Sequence, residues 1–180
     1  MDTSHMLTRL HTLLDSPSFA PDSLEEGPWK KDFAELITLT HDLLTRAEER
    51  GHRIDFREGV GVAGKVQDIT SLVEWMQKCL PDVSTELAGD IPANRLNRYF
   101  NAGTGYFSNG SFFTVEQDQE LGFFIDNQRI YLNKHLKRVA VELGDFFGTS
   151  DNHPVGGSSP KRQELYRNWR LFSAPFNSKA

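Results

Sequence analysis

Residues 106–125, YFSNGSFFTVEQDQELGFFI, decide the fold of this 180-residue chain. They contain three aromatic doublets: Tyr106-Phe107, Phe112-Phe113 and Phe123-Phe124. Adjacent residues of a β-strand point to opposite faces of a sheet, so each doublet places one ring on each face. A sheet that is aromatic on both faces must be covered on both, either by the protein's own helices and tail or by a partner.

The turn between the first two doublets is predicted from Asn109-Gly110, a dipeptide that readily adopts the positive φ angles of a two-residue type I′ hairpin turn. Such a turn pairs Tyr106 with Phe113 across the hairpin. A polar loop over residues 117–120 then leads to a strand at 121–125, and a second turn leads to a strand at 129–132. A further short strand is predicted at 53–57.

Four segments around these strands carry apolar residues at helical spacing. They predict helices at about 6–15, 30–50, 69–80 and 134–147. Asp68 is placed to cap the third helix and Pro81 to end it, and Gly148 to close the fourth. The expected fold class is α+β, a small antiparallel β-meander of about three to five strands packed against three to four α-helices, with a partly irregular C-terminal tail.

The composition is that of a globular protein, with 38% hydrophobic residues and a formal net charge of -5. An acidic chain has the wrong sign for general binding to nucleic acids. The single cysteine, Cys79, excludes an intramolecular disulfide and a cysteine-based zinc site. Residues 1–14 lack the basic start of a signal peptide, and no apolar run is long enough to span a bilayer. We therefore expect a cytoplasmic protein without a membrane span.

Three regions are predicted along the chain. Residues 1–148 form one α+β domain, residues 149–160 a flexible linker rich in Gly, Ser and Pro, and residues 161–180 a basic and aromatic C-terminal segment. The segment contains Lys161, Arg162, Arg167, Trp169 and Arg170. We expect it to dock on the domain as a helix or strand. The alternative is a detachable recognition tail for an acidic partner or an anionic surface.

A glycine-rich loop precedes the third predicted helix. Gly59, Gly61 and Gly64 match the G-x-G-x-x-G pattern and are followed by Lys65, so backbone amides there suit a phosphate group. The preceding segment is too polar for a buried parallel strand, and no apolar strand leads into an acidic residue about 20 positions on, as a dinucleotide fold requires. A loop whose glycines permit close packing is therefore the preferred interpretation.

His135 and Asp126 are the candidates for acid–base chemistry. His135 begins the last predicted helix and Asp126 lies in the adjacent turn, so the two can meet as a base and its orienting carboxylate. The six histidines show no i, i+4 pair and no H-E-x-x-H pattern, so no helix-borne metal site is indicated, and a cluster assembled by the fold is left open. No motif indicates a cofactor.

Two further features suit a binding surface. Glu116, Asp118 and Glu120 lie on one predicted loop tip, where they blunt a sheet edge or receive a partner. Trp75 lies beside the apolar stripe of the third predicted helix, as a rim residue of the core or an exposed anchor.

The leading hypothesis is a small cytosolic protein-binding module, of the adaptor, inhibitor, immunity-type or regulatory kind. It acts through an aromatic sheet face and the adjacent acidic loop, because strong fold signals occur without an assembled catalytic signature. The main alternative is an enzyme or a small-ligand or nucleotide-binding protein with a pocket near residues 59–64. Nucleic-acid binding through the basic tail is a weaker third class. The sequence leaves the oligomeric state open.

Overall fold

The computed structural model of the chain describes residues 2–21, 23, 28–85 and 95–150. The helices in this part are α1 (Thr3–Leu14), α2 (Pro28–Glu49), α3 (Ile69–Thr85) and α4 (Arg138–Ser150). The strands are β1 (Leu96–Phe100), β2 (Gly103–Tyr106), β3 (Phe112–Val115), β4 (Leu121–Ile125) and β5 (Gln128–Tyr131). The protein is therefore α+β, as predicted. Beyond Ser150, the predicted linker and C-terminal segment lie outside the described residues.

Helices α1 and α2 form where their apolar stripes predict them. In α2 the buried stripe runs from Trp29 to Ala47, and in α1 it runs from Met6 to Leu14. The two helices are joined on the surface by Arg9, whose Nε donates to Glu35 Oε1 at 2.6 Å. Because this pair is partly exposed, it contributes little beside the apolar contacts underneath.

Helix α3 begins as predicted but ends later. The carboxylate of Asp68 accepts the backbone N–H of Ser71 at 2.8 Å and is bound on its other side by Arg53. Burial alone raises the pKa of the Asp68 carboxyl, but the hydrogen bonds from Ser71 and Arg53 outweigh burial, so this pKa lies below its ordinary value. The prediction that Pro81 ends the helix is wrong, since α3 continues to Thr85. A proline inside a helix removes one backbone donor and crowds the preceding turn, and α3 nevertheless continues for four residues beyond it.

The last helix differs from its prediction at both ends. It starts as a π-helical turn, Leu132–Lys137, before α4 proper begins. Gly148 lies inside α4, so the prediction that it closes the helix is wrong. A glycine ends a helix by adopting a left-handed conformation, and Gly148 does not have the positive φ that this requires.

The strands form two antiparallel sheets instead of one continuous meander. One sheet has the order β1-β4-β5, with β4 in the centre, and the other is the hairpin β2-β3. Because β1 pairs with β4, the hairpin is an insertion between neighbouring strands of the larger sheet.

The predicted strand at 53–57 is absent, and the segment has no strand partner among the described residues. The first turn of α3 binds its backbone instead. Ile69 N donates to Phe56 O at 3.0 Å, and Thr70 Oγ1 donates to Ile54 O.

The main core lies between the helices and one face of the β1-β4-β5 sheet. Phe123 is fully buried there, with ring centroids 4.4 Å from Phe33 and 5.3 Å from Phe19. Trp75 and Cys79 are partly buried at the margin of this core, so Trp75 lies at its rim. None of the described helices combines the length and apolar character needed to cross a membrane.

Candidate functional site

The loop of the β2-β3 hairpin sets the geometry of the candidate site. Phe107 N donates to Ser111 O and Gly110 N donates to Phe107 O, each at 2.9 Å. These bonds enclose a three-residue loop, Ser108 to Gly110, and Gly110 adopts a φ of 83°. The predicted two-residue turn is wrong, because Gly110 follows the turn as a bulge and adds a third residue to the loop.

The longer loop changes the register of the hairpin by one residue. Tyr106 pairs with Phe112 instead of Phe113, and Gly105 pairs with Phe113. A one-residue shift moves side chains to the opposite face. Tyr106 and Phe112 therefore share the solvent side, where they are 73% and 52% exposed. Their rings meet edge to face with centroids 5.3 Å apart.

We call this side of the hairpin the outer aromatic face; it consists of Thr104, Tyr106, Phe112 and Thr114. Sequence reasoning did not include Thr104 and Thr114. The signal for Thr104 is the alternation Gly103-Thr104-Gly105-Tyr106, in which the two larger side chains point to the same side.

The opposite side of the hairpin is packed against the β1-β4-β5 sheet. Phe113 contacts Phe124 and Tyr99, with centroid distances of 6.1 Å and 4.2 Å, and Phe107 contacts Phe124 at 5.3 Å. Phe113 and Phe124 are buried, and Phe107 is half-buried. Since Phe123 lies in the main core, the third doublet places one ring on each face of its sheet, as expected.

Polar contacts from β5 also hold the hairpin. Arg129 Nη1 donates to Thr114 O at 3.0 Å, and Tyr131 OH donates to the same oxygen at 3.3 Å. Arg129 also lies 5.4 Å from the Tyr131 ring and pairs with Glu116 at 3.3 Å. The outer aromatic face therefore stands on a base fixed by both apolar and polar contacts.

The acidic residues of the predicted loop lie in two different environments. Glu116 and Asp118 are exposed at the base of the hairpin. Glu120 is buried and does not belong to a solvent-facing surface, so its placement on the loop tip is wrong. Its carboxylate accepts backbone N–H groups of Asn133 at 2.9 Å and Lys134 at 3.1 Å, because the π-helical turn begins there and needs acceptors. Burial raises the pKa of this carboxyl.

The predicted dyad of His135 and Asp126 does not form. His135 is fully buried, accepts Tyr131 N–H at Nδ1 (3.1 Å), and donates from Nε2 to Glu58 O (2.9 Å), with this tautomer assigned from the two partners. Burial lowers the pKa of His135 to about 4. Asp126 instead pairs with Arg95, whose hydrogen bond lowers the pKa of the Asp126 carboxyl. A neutral, enclosed imidazole is a structural group here.

The start of the glycine-rich loop packs against His135, one of the other predicted ligand-binding residues, whereas Asp126 is bound to Arg95. A Cβ at Gly59 would lie 3.1 Å from His135 Nε2, and one at Gly61 would lie 3.1 Å from Gln128 Oε1. Gly64, with a φ of 56°, and Lys65 form an exposed turn. Close approach of the backbone to its neighbours accounts for the first two glycines, as the preferred interpretation expected.

A cleft of about 420 Å³ lies elsewhere, between α1 and the start of the π-helical turn. Its lining includes Leu14, Phe19, Leu121, Asn133 and Lys137, and none of the predicted site residues. Within the described residues, no group of His, Cys, Asp and Glu side chains is arranged to hold a metal ion. The basic segment with Lys161, Arg162, Arg167, Trp169 and Arg170 lies outside the described residues, so its docking stays a prediction.

No protein-family model matches this chain, and no curated protein or solved structure is significantly similar to it.

Proposed function

We propose that this protein is a binding module for another protein, of the adaptor, inhibitor or regulatory kind, and that the outer aromatic face is its contact surface. The observation that supports the proposal is the joint exposure of Tyr106 and Phe112. Together with Val62, they are the large hydrophobic side chains that face solvent in the described part of the chain. Unlike scattered exposed residues, Tyr106 and Phe112 form one contiguous patch.

Aromatic side chains suit this role because they contribute a large contact area with few rotatable bonds. Tyrosine is among the residues enriched at the energetic centres of protein interfaces, and its hydroxyl can bond a partner while its ring is buried. Tyr106 and Phe112 already contact each other, so part of their side-chain ordering precedes binding.

The base of the hairpin adds rigidity to the surface. Phe113 and Val115 are buried directly behind the exposed residues, and Arg129 and Tyr131 bind the Thr114 carbonyl. A preorganised surface loses little conformational entropy on binding. The exposed carboxylates of Glu116 and Asp118 at the hairpin base favour a partner whose apolar pocket is bordered by basic side chains.

Site-specific photocrosslinking tests the proposal in cells of the source organism. A photoreactive phenylalanine analogue replaces Phe112 in one variant and Thr45 in a control variant. Thr45 is exposed on α2, away from that helix's buried stripe. We expect a defined protein to crosslink at position 112 and not at position 45. Equal crosslinking at both positions, or none at 112, would contradict the proposal.

A further inference from the structure

The outer edge of β2 has no strand partner among the described residues. β2 pairs with β3 along one edge only, and the two form a sheet of two strands. A free strand edge presents backbone N–H and C=O groups that another strand can pair with. Whether β2 can accept one depends on which of its residues direct these groups outward.

The hydrogen-bond pattern of the hairpin shows which residues of β2 direct their backbone groups away from β3. Residue pairs of an antiparallel ladder alternate between hydrogen-bonded and non-hydrogen-bonded. Phe107 and Ser111 form a hydrogen-bonded pair. Counting back along β2, the pairs Gly105–Phe113 and Gly103–Val115 are therefore hydrogen-bonded too. The pairs Tyr106–Phe112 and Thr104–Thr114 lie between them and are not hydrogen-bonded. Thr104 and Tyr106 therefore direct their N–H and C=O groups away from β3.

The other strand of the hairpin supports this assignment. By the same alternation, the carbonyl of Thr114 on β3 points away from β2. Arg129 and Tyr131 bind that carbonyl from the side of β5. The outward carbonyl of Thr114 is thus used within the protein. By contrast, no bond to the outward groups of Thr104 and Tyr106 occurs within the described residues.

We propose that a second copy of this chain pairs its own β2 with this edge, antiparallel and about a two-fold axis at Gly105. In this register Thr104 of each copy faces Tyr106 of the other, and both pairs fall on residues whose backbone groups point outward. Four backbone hydrogen bonds form, and the two hairpins become a four-stranded sheet.

The composition of the edge favours a second copy as its occupant. Residues 103–106, Gly-Thr-Gly-Tyr, contain no proline and no charged side chain at neutral pH, which are the usual protections against edge pairing. Although the chain carries a net charge of -5, the paired strands bring no like charges opposite each other. At the axis Gly105 faces Gly105, so the closest pair has no side chains to clash.

The inference goes beyond the proposed function, because it depends on backbone geometry and not on what the aromatic rings bind. Pairing of two copies nevertheless affects the outer aromatic face. Pairing places the two copies' outer aromatic faces on the same side of one sheet, with each Tyr106 ring beside Thr104 of the other copy. A partner would then meet four aromatic rings.

A matched pair of variants at Thr104 tests the dimer by sedimentation equilibrium on the full chain. Thr104→Pro removes the outward N–H, and Thr104→Val keeps it. Both lose the hydroxyl that bonds Phe113 O. We expect wild type and Thr104→Val to approach twice the 20.5-kDa chain mass as concentration rises. Thr104→Pro should associate about 30-fold more weakly, having lost two symmetry-related hydrogen bonds. Equal association of the two variants would overturn the proposal, as would wild type that stays monomeric.

Hydrogen exchange of wild-type protein provides a second test that needs no variant. We expect the amides of Thr104 and Tyr106 to exchange rapidly at low concentration and to gain protection as concentration increases. Protection that is independent of concentration would overturn the proposal and would assign the edge to a segment of the same chain, such as residues 161–180. Rapid exchange at every concentration would overturn it too. A failure of partner binding at the aromatic rings leaves both results unchanged, so the two proposals fail separately.

Discussion

The ring of Tyr106 lies edge-on to the ring of Phe112, with centroids 5.3 Å apart, on the solvent side of the β2-β3 hairpin. This relationship results from the three-residue loop that ends at Gly110. A two-residue loop would have paired Tyr106 with Phe113, the residue that now closes the inner side of the hairpin. One residue of loop length thus determines which rings are available to a partner.

The first prediction separates exposed rings from structural ones. The double substitution Tyr106→Ser, Phe112→Ser should lower the free energy of unfolding by no more than about 1 kcal/mol, since it removes one cross-strand pair on a solvated face. Phe124→Ala should cost about 3–5 kcal/mol, because its ring is buried between Phe107 and Phe113. Denaturant unfolding measures both. A double variant as unstable as Phe124→Ala would mean that the exposed rings support the fold.

The second prediction compares two glycine-to-alanine substitutions, one expected to lower the stability of the protein and the other to raise it. A Cβ at Gly122 would lie 2.9 Å from the ring of Phe124, which is itself held by its neighbours, so Gly122→Ala should destabilise the protein by about 1–3 kcal/mol. Gly144 is inside α4 with open space around it, so Gly144→Ala should stabilise by up to about 1 kcal/mol. Thermal unfolding checks the order. Both substitutions shifting the midpoint in the same direction would contradict this packing.

The third prediction concerns pH and His135. Its pKa of about 4 lies below the ordinary value of 6.5, so the unfolded chain binds a proton more readily than the folded protein. Stability should therefore fall as pH decreases from 6.5 to 4, by about 3 kcal/mol from this residue. Lys134, Arg129 and Arg138 add to the effect by repelling the imidazolium.

A variant without the imidazole provides the control for this prediction. His135→Gln keeps a side-chain donor for the Glu58 carbonyl and cannot take up the proton, so its stability should depend less steeply on pH over the same interval. Denaturant unfolding at several pH values measures the two slopes. Parallel pH dependences for the variant and wild type would show that His135 does not titrate in this way.

The helices could be predicted from the sequence because their signal is local. The stripe from Trp29 to Ala47 buries the same face that its spacing indicates, and Asp68 caps α3 as its position suggests. Helix ends were less predictable. Whether Gly148 stops a helix depends on its own φ, and whether Pro81 does depends on the hydrogen bonds around it; the residue type determines neither.

The candidate site was predictable only in part, because register and burial depend on distant contacts. The aromatic doublets indicated rings on two faces, and Phe123 and Phe124 have this arrangement. Which rings stay exposed depends on the loop conformation at Gly110. Glu120 is polar in sequence, yet it is buried because a helix start 13 residues later needs its oxygens. His135 is likewise enclosed through a contact with Glu58, 77 residues away.

Affinity for the crosslinked partner tests the central claim most directly. Isothermal titration calorimetry compares wild type with Tyr106→Ser and Phe112→Ser, each first shown to be folded, and with Thr45→Ala as a control outside the surface. If the outer aromatic face is the contact surface, each ring substitution should weaken binding about 30-fold, the loss expected for an interface hot spot. The control should bind like wild type. Ring variants that bind within twofold of wild type would contradict the account.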